Sequence, residues 1–328
     1  MLSWHWHYHA FRAMNTQVEA WLYSQTGEDI LIEVQRLFQS FEKRLSRFDP
    51  NSELSKLNAH AELEAFKASP ILLDALEVAL LAAQATGGLY DPTVLTSLEK
   101  AGYDRSFEQI EQPAPLQPGF MAPASFSSSQ PAWRAVTFRS IQINRPRREI
   151  YKPIGIRLDL GGMGKGWTVD RAADHLQGLG PFLLNAGGDI FGYHSPPGQK
   201  GWPIDLVHPL NSELSIARVQ LHHRALATST IAKRRWLHQG RAMHHLIDPR
   251  TGQPAQTDAL SVSVVADRTV LAEIYAKVAL ILGAEQGLAF LQNLTGVEGL
   301  IYTADSRLVY TDGLAAMLDR VEPIGYTN

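Results

Sequence analysis

The chain of 328 residues carries 30 basic and 33 acidic side chains, a formal net charge of −3, with 45% apolar residues and no cysteine. That balance gives no overall positive field of the kind nucleic-acid binding uses, and the length permits a sizeable core, in one large α+β domain or in two. Without cysteine there are no disulfides and no thiol nucleophile, and a zinc site would have to use histidine and carboxylates.

The opening MLSWHWHYHAFRAM lacks the basic segment, apolar run and small-residue cleavage site of a secretory signal, and no lipobox is recognisable. No later stretch approaches the ~20 apolar residues of a membrane span. The expectation is a cytoplasmic protein without stable membrane insertion. His5, His7 and His9 alternate with Trp4, Trp6 and Tyr8, and residues 1–13 read as a flexible leader, with Met14 starting the organised chain as a single domain over 14–328.

A first strand is predicted over Met14 to Tyr23, then a helix from Glu28 to Phe48 whose apolar face is Leu31, Val34, Leu37, Phe38, Phe41 and Leu45. Asp49 to Ser52 form a turn before a short helix from Glu53 to Leu57. A second long helix runs from Pro70 to Thr86 and is ended by Gly87 and Gly88. Tyr90, Asp91 and Thr93 follow as residues able to orient an organic ligand. Proline and serine punctuation over 112–132 marks an excursion from the core, which resumes as a strand around Trp133 to Asn144.

The central feature is RLDLGGMGKGWTVD, from Arg157 to Asp170. Ile156, Leu158 and Leu160 suggest a strand running into Gly161, Gly162, Gly164 and Gly166, and then a helix from Thr168 to Leu179. Glycines allow close backbone approach, and amides at such a bend can form an anion-binding nest beside the Lys165 ammonium. The spacing is neither the dinucleotide fingerprint nor the Walker motif. A second glycine turn, NAGGDIFGYH, begins at Asn185 after a strand at Phe182 to Leu184.

Paired strands are expected at Trp202 to Pro209 and Leu214 to Leu221. Thr228, Ser229 and Thr230 are candidate phosphate contacts, with Lys233, Arg234 and Arg235 raising the local potential. His244 and His245 adjoin a turn at Asp248 to Gly252; adjacent side chains diverge on a strand, which argues against two ligands to one metal. Histidine can position or protonate phosphate, and Arg250 can bind its oxygens. A strand over Ala259 to Ala266 precedes helices separated by Gly283, on which Glu273 and Lys277 lie four apart on one face. Two last strands flank a turn at Asp305 and Ser306.

Seven segments, MNT at Met14, SRFDPNSELSKLN at Ser46, GGLYDPTV at Gly87, RLDLGGMGKGWTVDRA at Arg157, NAGGDI at Asn185, ATST at Ala227 and HLIDPRTGQP at His245, together resemble the FAD:protein FMN transferase family, also called the flavin transferase or thiamine-biosynthesis lipoprotein-like family. The resemblance implies an α+β fold of mixed sheets and packed helices. It also implies transfer of FMN from FAD to a threonine or serine of an acceptor flavoprotein domain, with release of AMP. On this comparison Met14, Asn15, Thr16, Tyr90, Asp91, Asp170 and Arg250 would contact cofactor, with Gly162, Gly164 and Lys165 at the pyrophosphate. Asn185, Gly187, Gly188 and Asp189 would hold the nucleotide, and Thr228 and Ser229 would contact it in the reaction region, where His245, Asp248 and Thr251 would be catalytic. A magnesium ion would be held by Gly164 and Glu273. The family has an aspartate and then a threonine or other small residue where this chain has Glu273 and Lys277, so the expectation is a Mg²⁺ site weakened, or replaced by the Lys277 ammonium bound to Glu273 and the pyrophosphate. The alternative is a noncatalytic FAD-binding protein with an altered magnesium site.

Overall fold

The computed structural model describes residues 3–60, 64–110 and 138–321. The excursion expected at 112–132 and the Trp133 end of the strand after it lie outside these.

Eight strands form the main sheet: β1 (His5–Ala13), β2 (Thr16–Ser24), β3 (Phe182–Ala186), β4 (Asp189–Tyr193), β5 (Arg224–Thr230), β6 (Ala259–Ala266), β7 (Glu298–Thr303) and β8 (Leu308–Tyr310). Their spatial order is their chain order, and each neighbouring pair is antiparallel. The mixture in this α+β fold therefore lies in helices packed on sheets, while strand direction simply alternates. All eight residues of β6, at an inner position, are buried, which accounts for its continuous apolar and small-residue run.

One expectation is overturned at the amino end. Residues 5–13, read as a flexible leader, form β1 and pair with β2 over nine positions from His5↔Ser24 to Ala13↔Thr16. The alternation of aromatic and histidine residues is a strand pattern: Phe11 and Ala13 are buried and Trp4, Trp6 and Tyr8 stay largely exposed. Met14 and Asn15, with φ of 50° and 59°, make the two-residue hairpin turn rather than the start of the ordered chain.

The helices are α1 (Glu28–Leu45), α2 (Glu53–Ala59), α3 (Pro70–Ala85), α4 (Leu95–Lys100), α5 (Gly164–Leu176), α6 (Thr269–Leu282) and α7 (Ala284–Gln292). Ser52 and Ser69 cap α2 and α3 through their hydroxyls, and Pro70 occupies the first turn of α3. Helices α1, α5 and α6 form a middle layer. Leu31, Val34 and Phe38 of α1, Val169 and Ala173 of α5, and Ala272, Ala276 and Ala279 of α6 belong to the core on the sheet. Phe41, Trp167, Val270, Ile274 and Val278 from the same helices belong to a second core with α2 and α3. Alanines let α6 lie close over the sheet, while its branched residues fill the other side. A three-stranded sheet of Trp202–His208, Asn211–Leu221 and Leu318–Val321 adds Trp202, Leu206 and Val219 to the sheet-side core. Among the described residues no helix is long and apolar enough to cross a membrane.

Candidate functional site

A cleft opens where the amino end of α5, the carboxyl half of α6, the β1–β2 turn and the end of α1 meet. The chain before α5 is not the expected strand. It is extended but held from the side: Asn58 Nδ2 donates to the Leu158 carbonyl at 2.8 Å, Asn58 Oδ1 accepts the Leu158 N–H at 2.7 Å, and the Asp159 N–H donates to the Pro92 carbonyl at 2.8 Å. These side-chain and loop partners replace a sheet ladder. The Gly161 N–H turns back to Asp159 Oδ1 at 2.9 Å, and α5 begins at Gly164, earlier than Thr168. Gly166 stands inside the helix for packing: a Cβ there would lie 2.7 Å from the Thr269 carbonyl oxygen, so only glycine lets α5 and α6 approach this closely.

Four charged groups gather at the bend. Lys165 Nζ donates to Asp189 Oδ2 and, at 2.8 Å, to Glu273 Oε1, while Glu273 Oε2 accepts the Gly166 N–H at 2.9 Å. Burial opposes the Lys165 charge, but Asp189 and Glu273 together hold its pKa above the ordinary lysine value. Burial and the neighbouring Glu273 push Asp189 up to about 6. Burial also works against ionised Glu273, yet Lys165, Lys277 and the Gly166 amide keep it below the usual value. Lys277 does not pair with Glu273 directly. Its Nζ donates to the Gly162 carbonyl at 2.8 Å, and burial depresses its pKa.

The opposite walls are aromatic and apolar, with Phe48, Tyr90, Val94, Leu98, Tyr103 and Ile281. The Tyr90 hydroxyl is buried without a hydrogen-bond partner among the described residues, and burial, then Asp159, Glu273 and Asp91, raise its pKa well above the ordinary value. His245 also lines the cleft, and its Nδ1 is buried without a hydrogen-bond partner among the described residues. Burial, then Arg234, Lys277 and His244, push its pKa well down, which keeps the imidazole neutral. His244 is engaged elsewhere: its ring contacts the Ala255 carbonyl at 3.0 Å and accepts the Leu246 N–H at 3.3 Å.

Of the residues expected at the site, Met14, Asn15, Tyr90, Asp91, Gly162, Gly164, Lys165, His245 and Lys277 line the cleft. Asp189 and Glu273 reach it through Lys165. Others hold the frame. Asp170 accepts the Thr269 and Val270 N–H groups at 2.7 and 3.0 Å and so caps α6. Gly187 and Gly188, with φ of 63° and 96°, form the β3–β4 hairpin turn, steadied by Asn185 Oδ1 accepting the Gly188 N–H at 2.9 Å. Thr16 packs against Gly187, where a Cβ would lie 2.1 Å from its hydroxyl. Thr228 shares a hydrogen bond with Ser263 at 2.8 Å, and neither it nor neighbouring Ser229 lines the cleft. Arg250 forms a two-pronged pair with Asp248, and Thr251 bonds back to the Asp248 carbonyl. That turn sets Ile247 and Pro249 in the cleft wall.

Arg47 and Asp159 were not anticipated. Arg47, almost fully buried, lies 3.5 Å from Asp159, donates to the Tyr103 carbonyl at 3.0 Å and stacks over Phe48 and Tyr103. Both residues sit inside segments that carried the family resemblance, which was the available signal.

The implied magnesium can be tested against the donor set. The Gly164 carbonyl accepts the Thr168 hydroxyl at 2.7 Å, the Gly162 carbonyl holds the Lys277 ammonium, and both Glu273 oxygens are engaged. Two ammoniums already balance two carboxylates, and among the described residues no group of three or more histidine, aspartate or glutamate side chains could hold a metal. Magnesium takes oxygen ligands in a demanding octahedral arrangement. The residues present do not fit it.

An antiparallel sheet backed by a helical layer, with a cleft that joins a helix amino end and ammonium groups to aromatic walls, defines an α+β protein equipped for an organic ligand carrying phosphate. The model of the ApbE family matches residues 14–301. The chain belongs to that family. An FAD:protein FMN transferase of Treponema pallidum (strain Nichols) is 30% identical over 305 residues, covering 89% of this chain and 81% of the relative. One of Vibrio cholerae is 25% identical over 260 residues, covering 78% and 74%. Among solved structures, the ApbE protein of Thermotoga maritima superposes with a TM-score of 0.82 at 22% identity, covering 96% of this chain and all of that one. The flavin transferase ApbE of Vibrio cholerae gives 0.77 at 23%, covering 96% and 100%.

Proposed function

We propose that this chain transfers FMN from FAD to a threonine or serine hydroxyl of an acceptor protein and releases AMP. The observation that carries the reading is a neutral His245 on the same cleft as the Lys277 ammonium and the α5 amino end. Tyr90, Phe48 and Tyr103 supply flat apolar surface for the flavin or adenine ring. Lys277 and Arg234, both on the cleft, supply positive potential for the diphosphate.

In the reaction, the acceptor oxygen bonds to the phosphorus on the FMN side, and its proton passes to the His245 imidazole. The bond from that phosphorus to the bridging oxygen breaks, and the electron pair leaves with AMP. Donors aimed at the phosphoryl oxygens stabilise the charge that builds there. A neutral imidazole is the form able to take the proton.

Intact-mass measurement of an acceptor domain after incubation with the protein and FAD tests the reading. The expected result is a mass increase equal to one bound FMN. FAD that binds saturably and stays whole, with the acceptor unmodified, would instead establish the noncatalytic flavin-binding alternative, which the altered pair Glu273 and Lys277 favours.

A further inference from the structure

We propose that the Lys277 ammonium is a built-in counter-cation for the diphosphate of the flavin dinucleotide, so that this chain binds its donor without a divalent metal. The inference rests on the transferase reading and deepens it. Three features carry it. Lys277 reaches into the glycine bend from α6, since its Nζ lies 2.8 Å from the Gly162 carbonyl and within 2.5 Å of where a Gly162 Cβ would stand. Among the described residues one of its three N–H donors is used, and two remain for a ligand. Lys165 cannot serve equally, because Asp189 and Glu273 hold it in a closed arrangement.

Electrostatics points the same way. Lys165, Lys277, Asp189 and Glu273 sum to no net charge and both Glu273 oxygens are engaged, so a divalent ion added at the Gly162 carbonyl would sit against an ammonium, while Asp159, a further carboxylate on this cleft, lies 3.5 Å from Arg47. An entering diphosphate turns that balance into a surplus of negative charge, which the two remaining Lys277 donors then meet directly.

The test is a titration of the full-length protein with FAD, followed by flavin fluorescence, in EDTA and in magnesium chloride, with riboflavin as a probe that lacks phosphate. Wild type is expected to bind FAD equally in the two media. Lys277→Met should weaken FAD about tenfold or more in EDTA and leave riboflavin binding unchanged, which also verifies its fold. Lys277→Thr should be weak in EDTA and regain affinity in magnesium, because the Gly162 carbonyl and the space beside it are released. Wild-type binding that requires magnesium, a Lys277→Met variant that keeps full affinity in EDTA, or a Lys277→Thr variant that magnesium does not rescue would each overturn the proposal. Failure of wild type to bind FAD in both media would overturn the transferase reading beneath it.

Discussion

At His245 the decisive quantity is the protonation state. Burial first, and then its neighbours Arg234, Lys277 and His244, disfavour a charged imidazole, so the resting ring is neutral, the form that can accept a proton. His245→Ala should lower FMN transfer by about 10²- to 10⁴-fold while FAD affinity changes little, as single-turnover mass measurements and fluorescence titration would show. His244 offers a separate test through stability. Burial lowers its pKa from 6.5 to about 4, so on acidification the unfolded chain takes up the proton first. Its contribution is complete above about pH 6.5 and is lost as pH falls towards 4, at up to ~1.4 kcal/mol per pH unit. Thermal melts should therefore show a drop in midpoint over that window, smaller in His244→Gln. His245, Tyr90 and Gly162 were legible as site residues from residue type and motif. Asp170 and Thr228 were not separable from them, because a carboxylate or hydroxyl in a motif reads the same whether it meets a ligand or a backbone amide.

Helix α6 illustrates what elements add. Its periodicity was readable, but its placement depends on Asp170, whose carboxylate accepts two of its first amides and lies 3.5 Å from Arg268. Asp170→Ala leaves those amides buried and unpaired, and should cost roughly 2 kcal/mol, seen as a lower urea midpoint with an unchanged slope. Gly166→Ala attacks the same junction from α5. The added methyl meets backbone, which cannot swing aside, so the helices must separate, at a cost of about 1–3 kcal/mol. FAD affinity should fall with it, since α6 carries Lys277 and α5 carries the bend. Helix α5 was placed late because glycine weakens a helix prediction, and only the Thr269 backbone across the junction explains why glycine stands there.

For the whole molecule the amino-terminal strand is the clearest consequence of tertiary structure. Phe11 packs edge-on against Phe38 of α1, ring centroids 5.5 Å apart, and is buried in the sheet-side core. Phe11→Ala should cost about 3 kcal/mol in denaturant unfolding, whereas a change of that size is foreign to a loose leader. The long amphipathic helices, the buried strand Ala259–Ala266, the glycine bend and the unusual Glu273 and Lys277 pair were set by local pattern and residue type, which act over a few neighbouring residues. The β1 pairing, the Arg47 and Asp159 contact, and the choice of Lys165 over Lys277 as partner of Glu273 were decided only by the fold. Each depends on distant segments meeting, and on which of two similar ammoniums can reach a carboxylate once helices α5 and α6 are locked together.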